Sequence, residues 1–334
     1  MAAKARVLIT LPPGVVRGTF FPKRLVEQLE KKYALTWNGL DRNWTTEELC
    51  ELVAGHHACA VGWGAPYWSS SVVERAVNLK CIGILGGSVR PYLSKAVFEA
   101  GIPVFNAAEM MAESVAEAAI AYALAGLRQL PQYMNAMKQG LLWRESDYWV
   151  EGLLYQTVGL VGFGAVGRFL AQQLQAFKCK LLIYDPYLKG DLPPNSQRVF
   201  DLPTLFSQSK VISVQAAYTE ETHHLIDQSC LDAMSPGSVL INVGRGGLID
   251  EVALIERLKG GDVSAVLDVF TKEPLPLTSE LRQLSNAHLI PHMAGPTPDL
   301  RWRMTEKIFK DFDAVLENKP YSGNLCWDQV QAMT

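Results

Sequence analysis

A glycine-rich segment near the middle of the chain constrains the possible fold more than any other feature of the sequence. Gly162, Gly164 and Gly167 follow the apolar run 157–161 and precede a stretch with one apolar face, formed by Val166, Phe169, Leu170, Leu174 and Phe177. A buried strand, a tight glycine turn and an amphipathic helix make the first half of a βαβ unit, whose helix N-terminus binds a pyrophosphate. The segment predicts a dinucleotide site at Gly162, Gly164, Ala165 and Gly167.

The second strand of this predicted unit ends in an acidic residue. Asp185 follows the apolar run 181–184 and lies eighteen residues beyond Gly167. A carboxylate at this place accepts hydrogen bonds from both hydroxyls of an adenosine ribose and repels a 2′-phosphate. No Arg or Lys immediately follows Asp185, so we predict NAD as the cofactor, preferred over NADP. The alternative is a strand–helix turn that binds no ligand.

The length and the segment pattern predict two domains. At 334 residues the chain exceeds the usual size of a single hydrophobic core. Strand-like and helix-like segments alternate over the first 110 residues and again from Gln156, which predicts α/β domains with parallel sheets. The final helical stretch, about 300–317, is too short for a third domain, and we expect it to pack on the first. The predicted domains are residues 1–110 with 296–334, and residues 111–295.

Charge and cysteine usage narrow the possible partners. The chain carries 31 Lys and Arg against 34 Asp and Glu, a net charge of −3, which disfavours a nucleic-acid-binding protein. The six cysteines are scattered without a C-x-x-C pair, which predicts free thiols in a reducing compartment. The pairs His56-His57 and His223-His224 have no acidic or histidine neighbours at metal-binding spacing, so we predict no metal site.

Apolar segments near the N-terminus and in the middle of the chain bear on membrane association. The run 7–11 is interrupted by Pro12-Pro13-Gly14. From Glu113 to about Arg128 an Ala-rich stretch, with Val115, Ala119, Tyr122 and Gly126 near helical spacing, predicts a long and closely packed helix. We expect no run of membrane-spanning length, no membrane partner and a cytoplasmic protein.

Three later segments each pair an apolar strand with a polar residue beyond its C-terminal end: Arg245, Glu273 and His292. Ligands of open α/β sheets bind at these ends. An Arg holds a carboxylate and polarises the adjacent carbonyl, and a His donates a proton to the nascent alkoxide. A Glu bonded to that His favours the imidazolium. This set predicts an enzyme that transfers a hydride between NAD(H) and a small 2-oxo or 2-hydroxy acid, although each residue taken singly is typical of a surface group or ion pair.

These segments resemble those of the D-2-hydroxyacid dehydrogenases, from about Leu79 to His292. The most specific match is the segment 242–254, which begins Asn242-Val-Gly-Arg245-Gly-Gly and is similar to the family's catalytic-Arg signature. Residues 268–276 resemble the segment with its Glu, and residues 291–295 the segment with its proton-donating His. The resemblance implies the same catalytic roles for Arg245, Glu273 and His292.

The resemblance also implies a fold, further contacts and an assembly. It implies two doubly wound parallel-sheet domains, with a Rossmann-type NAD domain inserted into a flavodoxin-like substrate domain, specificity for the D isomer and a homodimer. The nicotinamide carboxamide would be bound by Asp268. The other implied cofactor contacts are Val166, Asp185, Ala216, Ala217, Thr222, Val243 and Gly244.

The loop after the predicted strand 81–85 departs from the family pattern. The family has glycine-x-glycine followed by Asp-Asn-Ile-Asp, whereas this chain has Gly86-Gly87-Ser88-Val89-Arg90. By resemblance, the backbone of Gly86, Gly87 and Ser88 binds the substrate carboxylate. One hypothesis is that Arg90 binds a second anionic group of the substrate. The alternative is that Arg90 makes a local ion pair that stabilises the loop.

Several readings stay open at this point. Loop residues Trp63, Tyr67, Trp68, Trp143, Arg144 and Trp149 either line a pocket or pack at a domain interface. A nucleotide-sensing module related to the transcriptional corepressors of the family is one alternative to an enzyme. Oxidation of formate or phosphite is another, although formate dehydrogenases of the family carry Gln where this chain has Glu273.

Overall fold

The computed structural model describes residues 3–140 and 150–331 of the chain. It has two compact units: the first combines the chain up to Met111 with the chain from Pro296 onward, and the second is Ala112–Gly295. Each unit contains one parallel β-sheet with helices on both faces. The predicted α/β class with two doubly wound parallel sheets is therefore confirmed.

The elements are numbered in chain order. The strands are Ala5–Ile9 (β1), Tyr33–Trp37 (β2), Ala58–Val61 (β3), Cys81–Ile84 (β4), Val104–Asn106 (β5), Thr157–Val161 (β6), Lys180–Tyr184 (β7), Ser196–Arg198 (β8), Val211–Val214 (β9), Val239–Asn242 (β10), Ser264–Leu267 (β11) and Ala287–Leu289 (β12). The α-helices are Val15–Phe20 (α1), Lys23–Lys32 (α2), Thr46–Val53 (α3), Ser70–Arg75 (α4), Lys95–Glu99 (α5), Ala108–Leu127 (α6), Leu130–Lys138 (α7), Ala165–Leu174 (α8), Leu202–Gln208 (α9), Gln228–Asp232 (α10), Glu251–Lys259 (α11), Arg301–Leu316 (α12) and Trp327–Gln331 (α13). Short 3₁₀ turns span Gln175–Phe177, Gly246–Leu248 and Glu280–Gln283.

The sheet of the first unit has the order β2-β1-β3-β4-β5, with every neighbouring pair parallel. This is the flavodoxin-like order. Strands β3 and β4 are buried throughout, as expected for a parallel sheet with helices on both faces. Apolar side chains of α1, α2 and α12 cover one face, and those of α3, α4 and α5 cover the other.

The C-terminal helix α12 packs directly on the first sheet, as the sequence predicted. A Cβ added to Gly83 on β4 would lie 2.2 Å from Cγ2 of Ile308 and 3.0 Å from the ring of Phe312. Only a glycine therefore leaves room for the helix at this distance, and chain segments from opposite ends of the sequence share one core.

The sheet of the second unit has the order β12-β11-β10-β9-β6-β7-β8, again with parallel pairs. This is the Rossmann strand order with one added edge strand, and the order reverses between β6 and β9. Ligands of such sheets bind at the carboxyl ends of the strands beside this reversal. The fold therefore predicts where the functional residues of this unit lie.

Helix α6 begins at Ala108, five residues before the predicted start, and its alanines pack in the second unit. Ala116, Ala119 and Ala123 are buried, and a Cβ on Gly126 would lie 2.7 Å from Val239 of β10. By length and composition α6 qualifies as a membrane-spanning segment, so the expectation that no run reaches that length is wrong. Of the apolar window in this helix, 39% is buried, and the buried part includes these alanines.

Two strands, β2 and β8, are not among the strand-like segments that the sequence predicts. Both are edge strands, and most of their residues are partly or largely exposed. The apolar residues of β2 are interrupted by Thr36, and β8 has only three residues, all of them polar. All six cysteines are free, and Cys59, Cys81, Cys179 and Cys230 are buried.

We predict that Gly83→Ala destabilises the protein by about 1–3 kcal/mol, because the added methyl group overlaps Ile308 and overpacking has this cost. Urea denaturation measures the change. Gly18→Ala in α1 is the control: a Cβ there meets no atom within 4 Å, and alanine favours a helix by about 1 kcal/mol. Equal unfolding midpoints for Gly83→Ala and the wild type would contradict the packing of α12 on β4.

Candidate active site

Two of the three glycines after β6 are required by backbone contacts. Gly162 has φ of +93°, and a Cβ on it would lie 2.7 Å from the backbone N of Ala216. A Cβ on Gly167 would lie 2.6 Å from the carbonyl oxygen of Gly162. Gly162 therefore allows the turn to approach the loop after β9, and Gly167 allows α8 to start against the turn.

The third glycine faces open space. A Cβ on Gly164 meets no other atom within 4 Å, and Gly164 directly precedes α8, with Ala165 and Val166 in its first turn. The first N–H groups of a helix have no acceptor within the helix and carry partial positive charge. The N-terminus of α8 therefore has both the room and the donors that a pyrophosphate requires.

The carboxylate of Asp185 lies beside this turn. Oδ2 accepts a hydrogen bond from the N of Phe163 at 2.7 Å, and Oδ1 accepts one from the N of Tyr187 at 2.8 Å. Each oxygen keeps a second lone pair for a ribose hydroxyl. Arg198 lies at the end of β8 and donates to the carbonyl oxygens of Asp185 and Pro186, at 3.0 and 3.2 Å. This arginine was not predicted, because it lies thirteen residues beyond Asp185 and not immediately after it.

The loop after β9 contacts both the glycine turn and the end of β10. Nε2 of Gln215 donates to the carbonyl oxygen of Gly162 at 2.7 Å, and a Cβ on Gly244 would lie 3.4 Å from the carbonyl oxygen of Ala216. Thr222 closes the same loop with a hydrogen bond from Oγ1 to the carbonyl oxygen of Ala217, at 2.7 Å. The structure thus brings Gly162, Ala216 and Gly244 together, with the buried Val243 beneath.

Arg245 follows β10 in a turn that Asn242 holds. The side chain of buried Asn242 donates to the carbonyl oxygen of Arg245 at 2.9 Å and accepts from the N of Gly244 at 3.0 Å. Burial lowers the pKa of the Arg245 guanidinium, and the negative charge of Glu273 opposes this shift. Arginine stays charged even so. Arg245 is therefore a partly desolvated cation near a carboxylate.

Gly246 lets the Arg245 turn contact the segment after β11. A Cβ on Gly246 would lie 1.9 Å from the carbonyl carbon of Phe270, which no side chain permits. The N of Phe270 in turn donates to Oε1 of Glu273 at 3.0 Å. The glycine that follows Arg245 therefore places Glu273 and Arg245 on adjoining loops.

Glu273 and His292 form a direct contact. Oε2 of Glu273 lies 2.7 Å from Nδ1 of His292, and the two side chains are 37% and 50% exposed. With Nδ1 bonded to the carboxylate, Nε2 is the ring nitrogen left to exchange a proton with a ligand. His292 has φ of +51°, so its backbone conformation is one that side chains other than glycine adopt only rarely.

The loop that carries His292 is bound to Asp268, at the end of β11. Asp268 is 1% exposed, and its Oδ1 accepts hydrogen bonds from the N of Met293 at 2.8 Å and the N of Ala294 at 3.1 Å. The hydroxyl of Tyr122 on α6 donates to the same oxygen at 2.9 Å. The sequence placed Tyr122 on a helix by its spacing but gave no sign of this contact, which depends on how α6 packs.

The predicted substrate loop lies in the first unit, after β4. The carbonyl oxygens of Gly86 and Gly87 accept hydrogen bonds from the N of Ala107 at 2.9 Å and from Nδ2 of Asn106 at 2.7 Å, and Ser88 follows them. Arg90 is exposed and makes no ion pair with the residues that the structure describes. The local ion pair of the alternative hypothesis is thus absent from these residues.

The aromatic loop residues separate into different environments. Trp68 is fully buried in the core of the first unit, so it does not line an open pocket. Trp63 is half-buried under the guanidinium of Arg301, and Tyr67 is exposed. Trp143, Arg144 and Trp149 lie outside the described residues. Within residues 3–140 and 150–331, no group of three or more His, Cys, Asp or Glu side chains is placed to hold a metal ion.

Comparison with known proteins places this arrangement in a family. Residues 120–294, just over half of the chain, match the family model described as "D-isomer specific 2-hydroxyacid dehydrogenase, NAD binding domain". These residues include the whole glycine turn, Asp185 and the loops that carry Arg245, Glu273 and His292.

Individual relatives agree with the family model. The chain is 36% identical over 253 residues to a hydroxypyruvate reductase of Thermotoga maritima. The aligned residues are 73% of this chain and 81% of the relative. It is 34% identical over 289 residues to a D-3-phosphoglycerate dehydrogenase of Archaeoglobus fulgidus, covering 85% of this chain but only 54% of that longer protein. The solved structure of D-2-hydroxyisocaproate dehydrogenase has the same fold, with a TM-score of 0.82 and 22% identity over 96% of this chain and 99% of the other.

The matched residues thus contain the three polar loop ends and the glycine turn, all at the carboxyl ends of strands in a Rossmann sheet. The chain belongs to the D-isomer specific 2-hydroxyacid dehydrogenases, a family of NAD-dependent oxidoreductases.

Proposed function

We propose that this protein interconverts a small 2-oxo acid and the corresponding D-2-hydroxy acid, with NAD(H) as the redox partner. The observation that carries the proposal is the contact between His292 and Glu273, 2.7 Å long, on loops that adjoin the turn of Arg245. A proton donor, its carboxylate partner and a carboxylate-binding cation on one sheet edge are the groups that reduction of a 2-oxo acid needs.

Each of the three residues has a separate task. The guanidinium of Arg245 binds the substrate carboxylate and polarises the neighbouring carbonyl. His292 donates the proton on Nε2 to the carbonyl oxygen as that oxygen becomes an alkoxide, and it removes the proton in the reverse direction. Glu273 orients the ring through Nδ1 and stabilises the imidazolium. When bound, the nicotinamide supplies or accepts the hydride.

The residues at the predicted cofactor site fit a dinucleotide. The open N-terminus of α8 offers donors to the pyrophosphate, and Asp185 has lone pairs for the ribose hydroxyls. Oδ2 of Asp268 accepts only from the N of Ala294, at 3.1 Å, among the described residues and has capacity left for a carboxamide N–H. The charge of Asp185 supports a preference for NAD over NADP. A homodimer and a cytoplasmic location stay predictions.

We expect His292→Ala to lower kcat for 2-oxo acid reduction by about 10²–10⁴-fold, because general acid catalysis contributes this much. The assay follows NADH oxidation with glyoxylate, pyruvate, hydroxypyruvate, bulky aromatic 2-oxo acids, oxaloacetate, 2-oxoglutarate and phosphonopyruvate. NADH affinity of the variant, measured by fluorescence, should stay close to that of the wild type. Wild-type inactivity toward every acid, with tight NADH binding, would instead support the nucleotide-sensing alternative.

Glu273→Gln keeps a hydrogen-bonding side chain but removes the charge that stabilises the imidazolium. We expect kcat for reduction to fall about tenfold, since one charged partner of a hydrogen bond is lost. Glu280→Gln is the matched control, because Glu280 makes an exposed salt bridge with Lys259 in the same unit. Equal effects of the two substitutions would show that the charge of Glu273 has no part in catalysis.

We predict that Asp185→Ala changes cofactor preference. It should lower kcat/KM for NADH about tenfold, because the ribose loses a charged acceptor, and it should raise kcat/KM for NADPH. Adding Arg198→Ala should remove that NADPH gain, since Arg198 lies against the backbone of Asp185. An NADPH/NADH ratio that is the same in Asp185→Ala and in the wild type would refute the role of Asp185.

The exposed guanidinium of Arg90 is available to an anionic group of a ligand, and the hypothesis of a second anion can be tested on it. We expect Arg90→Ala to lower kcat/KM for oxaloacetate or 2-oxoglutarate roughly fivefold, the effect of one exposed ion pair, and to leave pyruvate unaffected. Arg75→Ala, an exposed arginine on α4, is the control. Unchanged kcat/KM for every diacid in Arg90→Ala would rule out the hypothesis.

A further inference from the structure

Asp268 is a buried carboxylate whose charge is balanced by hydrogen bonds rather than by a cation. It is 1% exposed, and no Lys, Arg or His of the described residues forms an ion pair with it. Its donors are the N of Met293, the N of Ala294 and the hydroxyl of Tyr122. Burying a carboxylate charge without hydrogen-bond donors costs several kcal/mol of free energy. Each of the three donors therefore helps to fix the position of the Asp268 carboxylate.

The tyrosine is the one donor of the three that comes from outside the His292 loop. Its hydroxyl lies 2.9 Å from Oδ1 of Asp268. Burial and then the charge of Asp268 raise the pKa of Tyr122, so the hydroxyl stays protonated and donates throughout the working pH range. The same helix makes a second contact with the loop, because Oγ of Ser114 donates to the carbonyl oxygen of Gly295 at 3.2 Å.

Asp268 in turn determines the position of His292. The N of His292 donates to the carbonyl oxygen of Asp268 at 2.9 Å, and the next two N–H groups of the loop bind its carboxylate. The backbone of His292 has the rarely populated φ of +51°, which needs such contacts to hold it. A shift of the carboxylate therefore moves the imidazole relative to Glu273.

We propose that Tyr122 is a positioning residue for proton transfer: through its hydrogen bond to Asp268 it holds the His292 loop in the geometry that lets His292 contact Glu273. The inference rests on the proposed function of His292. Tyr122 acts through its hydrogen bond to Asp268 and not by direct contact with the reacting atoms. Helix α6 is thereby part of the catalytic apparatus and not only of the core.

The test is Tyr122→Phe, which removes one hydroxyl and keeps the ring that packs in the core. We expect kcat for the best 2-oxo acid to fall about tenfold, the effect of losing one hydrogen bond to a charged group. KM for the acid and Kd for NADH should change less than threefold. The control is Tyr33→Phe in the first unit, which likewise removes a hydrogen bond from a tyrosine hydroxyl to a carboxylate, that of Asp313. It should leave kcat unchanged.

A merely structural Tyr122 gives a different result. Its loss would lower the unfolding midpoint as much as Tyr33→Phe does and leave kcat at the wild-type value, and that outcome overturns the proposal. So does a fall in kcat that is matched by an equal weakening of NADH binding. Wild-type enzyme and His292→Ala are assayed beside these variants, because activity that survives in His292→Ala refutes the proposed function itself and not only the role of Tyr122.

A double-mutant cycle shows whether Tyr122 acts through Asp268. Asp268→Asn keeps an oxygen acceptor but removes the charge, so the tyrosine loses its charged partner. If the coupling is real, Tyr122→Phe causes much less further loss of kcat in the Asp268→Asn background than in the wild type. If the loss of kcat in the double variant equals the product of the two single losses, the two residues act independently. That result would overturn the proposal that Tyr122 acts through Asp268.

Discussion

Beyond the carboxyl ends of the strands in the second sheet, the backbones of neighbouring loops lie in direct contact. The positions of the functional side chains follow from these backbone contacts. Gly162 meets Ala216 there, and Gly246 meets the carbonyl group of Phe270. Both approaches are closer than any Cβ allows. Because these glycines bring neighbouring loops into contact, the side chains that follow them reach one another without a long or mobile connection. The spacing of the functional groups is therefore set by main-chain geometry more than by side-chain packing.

The charged residues of the site differ in how far they are buried and in the partners that stabilise them. Arg245 is partly desolvated, and Glu273 lies close enough to oppose the resulting shift of its pKa. Asp268 is buried, forms no ion pair with a cation of residues 3–140 and 150–331, and accepts hydrogen bonds from N–H and O–H donors. Glu273 and His292 stay half-exposed, as groups that exchange protons with a ligand should. The buried charge supports the loop, and the exposed pair performs the chemistry that we propose.

Much of the fold was predictable because parallel α/β sheets have a strong sequence pattern. Central strands such as β3, β4 and β6 are almost entirely buried, and the segments that predict them, 58–63, 81–85 and 157–162, end within two residues of the observed strands. The edge strands β2 and β8 were not predicted: β8 consists of three polar residues, and Thr36 interrupts the apolar residues of β2. Trp68 was grouped with possible pocket residues, although its burial depends on three-dimensional packing that a single loop sequence does not reveal.

The two sheets, the glycine turn and the polar residues at the strand ends could all be predicted from the sequence, because each is a local pattern of a few residues. Tertiary structure alone decided which groups meet: Arg198 beside Asp185, Gln215 on Gly162 and Tyr122 on Asp268. These partners are 13, 53 and 146 residues apart in the chain. No periodicity or spacing rule links positions so distant, since their contact follows from the order of strands in a sheet and the face on which a helix packs.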